Sequence, residues 1–149
     1  MSISITKITD NKKRYLDLLL LADEQESMID RYLERGEMFV LEDDGVKAVC
    51  VVTSESEEVC ELKNIAVDPR AQRQGYGRKL IHYLMHHYSG RYIRMMVGTG
   101  ETPPTLAFYE SCGFEYSHRI AGFFTENYDH PIIDNGVLLK DMIYLQRKI

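Results

Sequence analysis

The chain has 149 residues, of which 44% are hydrophobic and 28% are charged, as is ordinary for a globular protein. This length suits a single domain over residues 1–149, and the composition excludes a disordered or low-complexity chain. The net charge of −5 arises from 23 acidic and 18 basic side chains, so the overall field repels phosphate and disfavours nucleic acid as a partner.

The cysteines and the apolar segments indicate in which cellular compartment the protein works. Cys50, Cys60 and Cys112 are an odd number without paired spacing, which favours reduced thiols in a cytoplasmic protein. The longest apolar run near the start, residues 18–22, is too short to span a membrane and is not typical of a signal peptide. We therefore expect no membrane partner.

The first part of the chain predicts one strand and two helices. Residues 2–8 alternate in polarity as strands do, and Asp10 or Asn11 can cap the helix that follows. A second helix is expected over residues 24–35. Gly36 comes at the end of this pattern, where glycine commonly terminates a helix.

The middle of the chain predicts a meander of three antiparallel strands. The pair Asp44 and Gly45 favours a tight turn between strands over residues 38–41 and 46–53. After a polar turn, a third strand is expected over residues 59–67.

The last part of the chain predicts helices alternating with strands. Helical spacing of apolar residues over 80–88 is followed by Gly90, and Thr102 with Pro103 at the first helical position opens another helix through Cys112. The remaining predicted elements are a strand over 92–97, a glycine turn over 98–100, and two final strands over 114–120 and 137–145.

The most informative segment, residues 61–80, predicts a strand that passes through a glycine turn into a helix. Gly75 and Gly77 have no side chain, so the main-chain N–H groups of this turn can approach an anion closely, and the helix dipole reinforces the attraction. Arg73, Arg78 and Lys79 can add positive charge. Taken alone, G-x-G also occurs in nucleotide sites and in turns that bind nothing, but Leu80 stands where a dinucleotide-binding turn has glycine.

Two motifs in this chain resemble those of the GNAT acetyltransferase superfamily. The turn Gln72-Arg73-Gln74-Gly75-Tyr76-Gly77, which follows Ile65-Ala66-Val67-Asp68-Pro69, is similar to the Q/R-x-x-G-x-G/A acyl-CoA motif of that family. Downstream, Ala107-Phe108-Tyr109-Glu110-Ser111-Cys112-Gly113-Phe114 is similar to its second, helix-borne motif. The motifs lie in the family's order, and the predicted elements follow its element order too.

The resemblance implies an α/β (α+β) fold of the GNAT type. Its central mixed, mostly antiparallel sheet has about six to seven strands and is flanked by four helices. Acetyl-CoA is the implied cosubstrate. The motif strand splays from its neighbour in this family, and its N–H groups, that of Ile65 first, contact the thioester carbonyl. The implied cofactor-binding residues are Ile65, Ala66, Val67, Gln72, Arg73, Gln74, Gly75, Tyr76, Gly77, Arg78 and Lys79.

The resemblance also implies two catalytic residues. Tyr109 is the expected general acid toward the departing sulfur, with packing in the core as the alternative. Glu61 matches a position where several family members carry a catalytic glutamate, and alternation places it on the face of Ile65 and Val67. An ordinary carboxylate is a weak base for an ammonium, so Glu61 would act through a water or on an amine whose pKa desolvation has already lowered. The alternative is a charged residue that pairs with Lys63 or with a neighbouring strand.

Other residues remain open between functional and structural roles. Asn64 can orient a substrate or satisfy a hydrogen bond of the sheet. Thr102 stands near the place of a family asparagine that contacts the cofactor, which puts that contact in doubt. His82 and His86 have metal-compatible spacing without a third ligand, so no metal is expected. In this family the acceptor pocket is built from segments that correspond to residues 24–32 and 123–135.

The sequence therefore predicts an N-acetyltransferase that transfers the acetyl group of acetyl-CoA to a primary amine by direct attack in a ternary complex. The acceptor is either a small-molecule amine or a peptide or protein amine, and a homodimer is consistent with the family. The alternatives are a non-catalytic acyl-CoA-sensing or interaction module and, more distantly, a nucleotide-binding protein.

Overall fold

The computed structural model describes residues 2–149 and contains nine strands, five α-helices and two short 3-10 turns over those residues. The strands are β1 Ser4–Ile8, β2 Glu37–Glu42, β3 Val46–Ser54, β4 Val59–Val67, β5 Arg94–Gly100, β6 Glu115–Ile120, β7 Ile133–Asp134, β8 Val137–Leu138 and β9 Met142–Lys148. The helices are α1 Leu16–Ala22, α2 Glu26–Ile29, α3 Tyr76–His87, α4 Pro103–Ser111 and α5 Phe123–Asn127, and the 3-10 turns are Lys12–Tyr15 and Pro69–Ala71.

Seven strands form one twisted sheet in the order β1-β2-β3-β4-β5-β9-β6. The first four strands are an antiparallel meander, β4 and β5 run parallel, and β9 is antiparallel to both β5 and β6. The parallel pair requires a crossover, which α3 supplies. The predicted mixed, mostly antiparallel sheet of the GNAT type is confirmed.

The core has two main layers, one on each face of the sheet. On one face, α3 and α4 pack over the sheet through Leu80, Leu84 and Tyr109. On the other face, Leu19 of α1 and Ile29 of α2 pack over β2 and β3. Burial of apolar surface on both faces is typical of a sheet that carries helices on both sides.

The second helix is much shorter than the predicted 24–35, because the chain leaves α2 after Ile29 and continues in turns to Gly36. The side chain of Lys12 is buried beside this segment, and its Nζ donates to the carbonyl oxygens of Leu33 at 3.0 Å and Gly36 at 2.7 Å. These carbonyls are satisfied by an ammonium from a distant part of the chain. The chain therefore turns without leaving buried polar groups unpaired.

Two predictions near the end of the chain are wrong. Residues 98–100 do not form a turn but extend β5, where Gly98 pairs with Tyr144 of β9. The predicted strand over 137–145 is divided into β8 and β9 around Leu139, which turns inward over Gly100. A Cβ on Gly100 would lie 2.5 Å from Leu139 Cδ1, so the bare glycine makes room for this side chain.

Residues 123–136, which lie between the last two predicted strands, also have structure of their own. They contain α5 and the first strand of the β7–β8 hairpin, which forms a small separate sheet. Phe124, Ile132 and Leu139 make a third, smaller apolar cluster beneath it. The structure thus has five α-helices over residues 2–149, where four were expected.

Candidate active site

The site lies where β4 and β5 separate. Their parallel pairing covers only the first part of β4, from Val59 opposite Arg94 to Leu62 opposite Val97. Beyond Leu62, β4 continues to pair with β3 on its other side but has no partner toward β5. The splay predicted for the motif strand is present, and it leaves main-chain groups of residues 63–67 available at the gap.

The direction of these main-chain groups follows from the pairing with β3. The N–H of Asp68 donates to the carbonyl oxygen of Lys47 at 2.8 Å, toward β3. Because N–H groups alternate in direction along a strand, that of Ala66 also points toward β3, while those of Ile65 and Val67 point into the gap. The N–H of Ile65 thus faces the gap, and its contact with the thioester carbonyl stays a prediction. The side chain of Ala66 faces the opposite cluster and leaves the gap open.

A cavity of about 310 Å³ occupies the gap. Its walls come from α1, β4, β5, α4 and the segment around α5, so the structure brings the motif strand, Tyr109 and both predicted acceptor segments together. Its lining includes Asp23, Ile65, Val97, Tyr109 and Tyr128. None of the three cysteines lines it; all three are buried elsewhere.

Tyr109 is placed at this cavity by α4. Its ring packs edge to face against Phe108 and Phe114, with centroids 5.2 and 5.8 Å away, and the residue is 8% exposed. Burial, with a smaller contribution from Cys112, raises the pKa of the Tyr109 phenol. The group stays protonated over the physiological range and can donate a proton. Tyr109 therefore packs in the core and also lines the cavity, and its role as general acid stays a prediction.

Glu61 lies outside the cavity. Its Oε2 accepts a hydrogen bond from the Tyr144 hydroxyl at 3.0 Å and is 3.0 Å from Lys63 Nζ. The pairing with Lys63 that was weighed as the structural alternative is therefore present. Through Lys63, which lines the cavity, the Glu61 carboxylate lies next to the site, and its catalytic role stays a prediction.

The predicted face of Glu61 is wrong because β4 contains a bulge. Register against β3 shifts between Asn64 and Leu62, so Lys63 is an extra residue. Before the bulge Cys60 and Leu62 face the α3 side; after it Ile65 and Val67 do. Simple alternation is thus interrupted, and Glu61 faces away from Ile65 and Val67.

Asn64 links β4 to α1 and to the predicted acceptor segment over residues 24–32. Its Nδ2 donates to the carbonyl oxygen of Leu19 at 3.0 Å and to the Tyr32 hydroxyl at 3.1 Å, while Oδ1 is buried without a partner among residues 2–149. The hydroxyl of Tyr32 in turn donates to Asp23 at 2.9 Å. The sequence analysis missed Asp23, which lies one residue before the predicted acceptor segment.

The glycine turn retains the features of an anion site. Gly75 adopts a φ of 85°, which favours glycine, and no side chain caps the first turn of α3. Gly77 is in close contact with α4, because a Cβ there would lie 3.2 Å from the Phe108 ring. Lys79 Nζ lies 3.8 Å from where a Cβ on Gly75 would stand. The turn therefore presents uncapped N–H groups and a cation, which fits a pyrophosphate.

The other predicted cofactor residues divide into exposed and anchored groups. Gln72, Arg73 and Gln74 are exposed on the turn. The Tyr76 ring is buried and its hydroxyl donates to Asp43 at 2.7 Å, so only its main chain faces the turn. Arg78 donates to the Ser111 carbonyl and hydroxyl oxygens at 2.9 and 2.8 Å and ties α3 to α4.

Thr102 and the histidines have no part in the cavity. Thr102 is buried, its hydroxyl donates to Thr105 at 3.0 Å, and it makes no capping hydrogen bond. His82 and His86 pack edge to face on α3. Within residues 2–149, no group of three His, Cys, Asp or Glu side chains is arranged to hold a metal. Over the same residues, every helix is too short or too polar to cross a bilayer.

Residues 34–116 match the family model described as an acetyltransferase (GNAT) domain. The chain belongs to the GNAT acetyltransferase family. This GNAT chain is 33% identical over 132 residues to the protein named uncharacterized N-acetyltransferase YvbK of Bacillus subtilis, an alignment that covers 87% of this chain and 85% of the relative.

A solved structure of a GNAT family acetyltransferase from Elizabethkingia anophelis with acetyl-CoA bound superimposes with a TM-score of 0.93. It is 33% identical and covers 99% of this chain and 98% of that one. A more partial relative is the ribosomal protein bS18-alanine N-acetyltransferase of Escherichia coli, 34% identical over 87 residues, 57% of this chain and 56% of that protein.

Family, fold and site together make this GNAT chain an acyltransferase whose cosubstrate is acetyl-CoA. They favour the enzyme over the non-catalytic acyl-CoA-sensing or interaction module that was the alternative from sequence. They also disfavour a nucleotide-binding protein, because β2, β3 and β4 form an antiparallel meander.

Proposed function

We propose that residues 1–149 act as one catalytic domain that transfers the acetyl group to a primary amine by direct attack in a ternary complex. One observation carries the proposal: Tyr109, the unpaired edge of β4 and the two acceptor segments all border the same cavity. A donor bound along β4 and an acceptor bound against α1 and α5 meet there without a covalent enzyme intermediate.

Three chemical requirements of acyl transfer have candidate groups. The fourth, a neutral amine, is met when the acceptor loses its ammonium proton to solvent before it attacks, and the proton that the nitrogen then loses on forming the amide returns to Tyr109 through solvent. The N–H groups of Ile65 and Val67 are fixed in the sheet and directed into the gap, where they stabilise negative charge that develops on the carbonyl oxygen. Tyr109 holds a proton that it donates to the departing sulfur. The glycine turn and Lys79 bind the pyrophosphate and position the thioester relative to the acceptor.

The cysteines support direct attack. A covalent acetyl-enzyme needs an accessible nucleophile, but Cys50 and Cys60 are buried in the sheet, and burial raises the pKa of both thiols to about 12. Cys112 is buried at the end of α4, outside the cavity. No cysteine is therefore placed to carry the acetyl group.

Initial-velocity kinetics test the ternary complex. With acetyl-CoA and an active amine each varied at several fixed concentrations of the other, double-reciprocal lines that intersect are expected. Parallel lines, together with acetylated protein in the absence of amine, would indicate a covalent intermediate and refute direct attack. Free-thiol release across small amines and peptide amines identifies the acceptor class in the same assay.

A further inference from the structure

Asp23 holds a carboxylate at the wall of the cavity between α1 and α2. Its Oδ2 accepts a hydrogen bond from the Tyr32 hydroxyl at 2.9 Å, and its Oδ1 accepts one from the Tyr128 hydroxyl at 2.6 Å. Tyr32 follows α2 and Tyr128 follows α5, so the carboxylate is held between the two predicted acceptor segments. Asn64 of β4 fixes Tyr32 in turn. A carboxylate held by three separate elements has a defined position at the cavity.

This carboxylate lacks a counter-ion. No Lys, Arg or His nitrogen of residues 2–149 lies within 4.0 Å of it, and its hydrogen-bond donors, two tyrosine hydroxyls and the main chain of Gln25, are neutral. Burial raises the pKa of Asp23, while the tyrosine hydrogen bonds and, at longer range, Arg31 act in the opposite direction. Lys63 also borders the cavity but is paired with Glu61. Because buried charges in proteins are normally paired, Asp23 is suited to a cation that arrives with a ligand.

Large apolar side chains stand exposed at the mouth of the same cavity, beside the carboxylates of Glu24 and Asp134. Leu21 of α1 is 53% exposed and Ile133 of β7 is 62% exposed, and both line the cavity. Leu138 lies opposite Ile133 across the β7–β8 hairpin and is 48% exposed. Large apolar side chains exposed together at a cavity mouth are typical of a surface that an apolar ligand covers.

We propose that Asp23 binds the ammonium group of the incoming acceptor, which then loses a proton to solvent and attacks as the neutral amine, and that the acceptor is a small primary amine with an apolar body that rests on Leu21 and Ile133. The inference rests on the proposed function and specifies its substrate class. An amino acid fits less well, because its carboxylate would approach Asp23 and the cavity-lining Glu24 and Asp134. A polyamine would place its second cation near Glu24 or Asp134 but has no apolar body to cover Leu21 and Ile133, so it is the competing acceptor that the test must separate.

A matched set of amines tests the class. Phenylethylamine has the cation and the apolar body, phenylalanine adds a carboxylate to the same body, and putrescine has cations without the body. We expect kcat/KM for phenylethylamine to exceed that for each of the other two by at least about tenfold. This factor is roughly what the burial of one hydrophobic side chain contributes to binding, or what one unfavourable pair of charges costs. Preference for phenylalanine, putrescine or a peptide amine would overturn the inference.

Substitution of Asp23→Asn tests the residue. The change keeps the shape and a hydrogen-bond acceptor for the tyrosines but removes the charge, so KM for phenylethylamine is expected to rise about tenfold or more, with KM for acetyl-CoA unchanged. Asp30→Asn is the matched control, because Asp30 is exposed, lies outside the cavity and pairs with Lys13. An unchanged amine KM in a folded Asp23→Asn protein would refute the role of Asp23.

A second variant keeps the test informative if Asp23→Asn does not fold. Leu21 is exposed, so Leu21→Ser leaves the core intact and is expected to raise KM for phenylethylamine about fivefold without affecting methylamine. Equal effects on both amines, or none, would contradict an apolar subsite. If no amine is acetylated by the wild-type protein, the proposed function itself fails; if amines are acetylated independently of Asp23 and Leu21, only this inference fails.

Discussion

Substitution of Tyr109→Phe separates the catalytic role of this residue from its structural one. The ring contacts with Phe108 and Phe114 remain in the variant, and no group of residues 2–149 hydrogen-bonds to the hydroxyl that is removed. Stability should therefore change by less than about 1 kcal/mol. Loss of a positioned general acid is expected to lower kcat by about a hundredfold, which corresponds to ~2.7 kcal/mol in the barrier.

The assay compares three quantities in the wild-type and Tyr109→Phe proteins: the melting temperature, the affinity for acetyl-CoA by titration calorimetry, and kcat from free-thiol release. We expect only kcat to change. An unchanged kcat would show that the proton reaches the sulfur from another source. A large fall in melting temperature would instead show that the hydroxyl stabilises the fold, contrary to the packing described above.

Three further predictions concern the cofactor turn, the buried lysine and acid stability. Gly75→Asp places a carboxylate and a strained φ at the anion turn and should weaken acetyl-CoA binding at least about a hundredfold by calorimetry. Lys12→Met leaves buried carbonyls unpaired and should cost about 3 kcal/mol, or roughly 10 °C in melting temperature, whereas exposed Lys13→Met should cost little. The main-chain N–H of Gly122 and a neighbouring arginine lower the pKa of Asp141 below the ordinary 3.8, so its contribution is present above pH 3.8 and lost as pH falls through the folded pKa. Melting curves of Asp141→Asn should accordingly depend less on pH below about 4 than wild-type curves.

Local chemistry explains why much of the fold could be predicted. The strand over residues 59–67 agrees with β4, because alternating residues bounded by turns specify a strand through contacts within a few positions. The turn at Gly75 needs a positive φ and an uncapped helix start, and both requirements are visible in the residue types. The family motifs then located the cavity-lining Tyr109.

Long-range contacts explain why other parts could not be predicted. Residues 24–35 have a helical pattern, but the ammonium of Lys12, more than twenty positions away from Leu33, binds their carbonyls instead. The bulge at Lys63 depends on the register against β3 and reverses the expected face of Glu61. Asp23 acquires its significance only when Tyr128, more than a hundred positions later, is brought beside it.

The central claim is that this protein transfers an acetyl group from acetyl-CoA to a primary amine at the gap between β4 and β5. Mass spectrometry of the amine, with free thiol measured in the same reaction, tests it most directly. We expect one acetylated amine for each CoA released, and neither product when Gly75→Asp replaces the wild-type protein. Release of CoA without acetylated amine, or the absence of both products across all amine classes, would contradict the account.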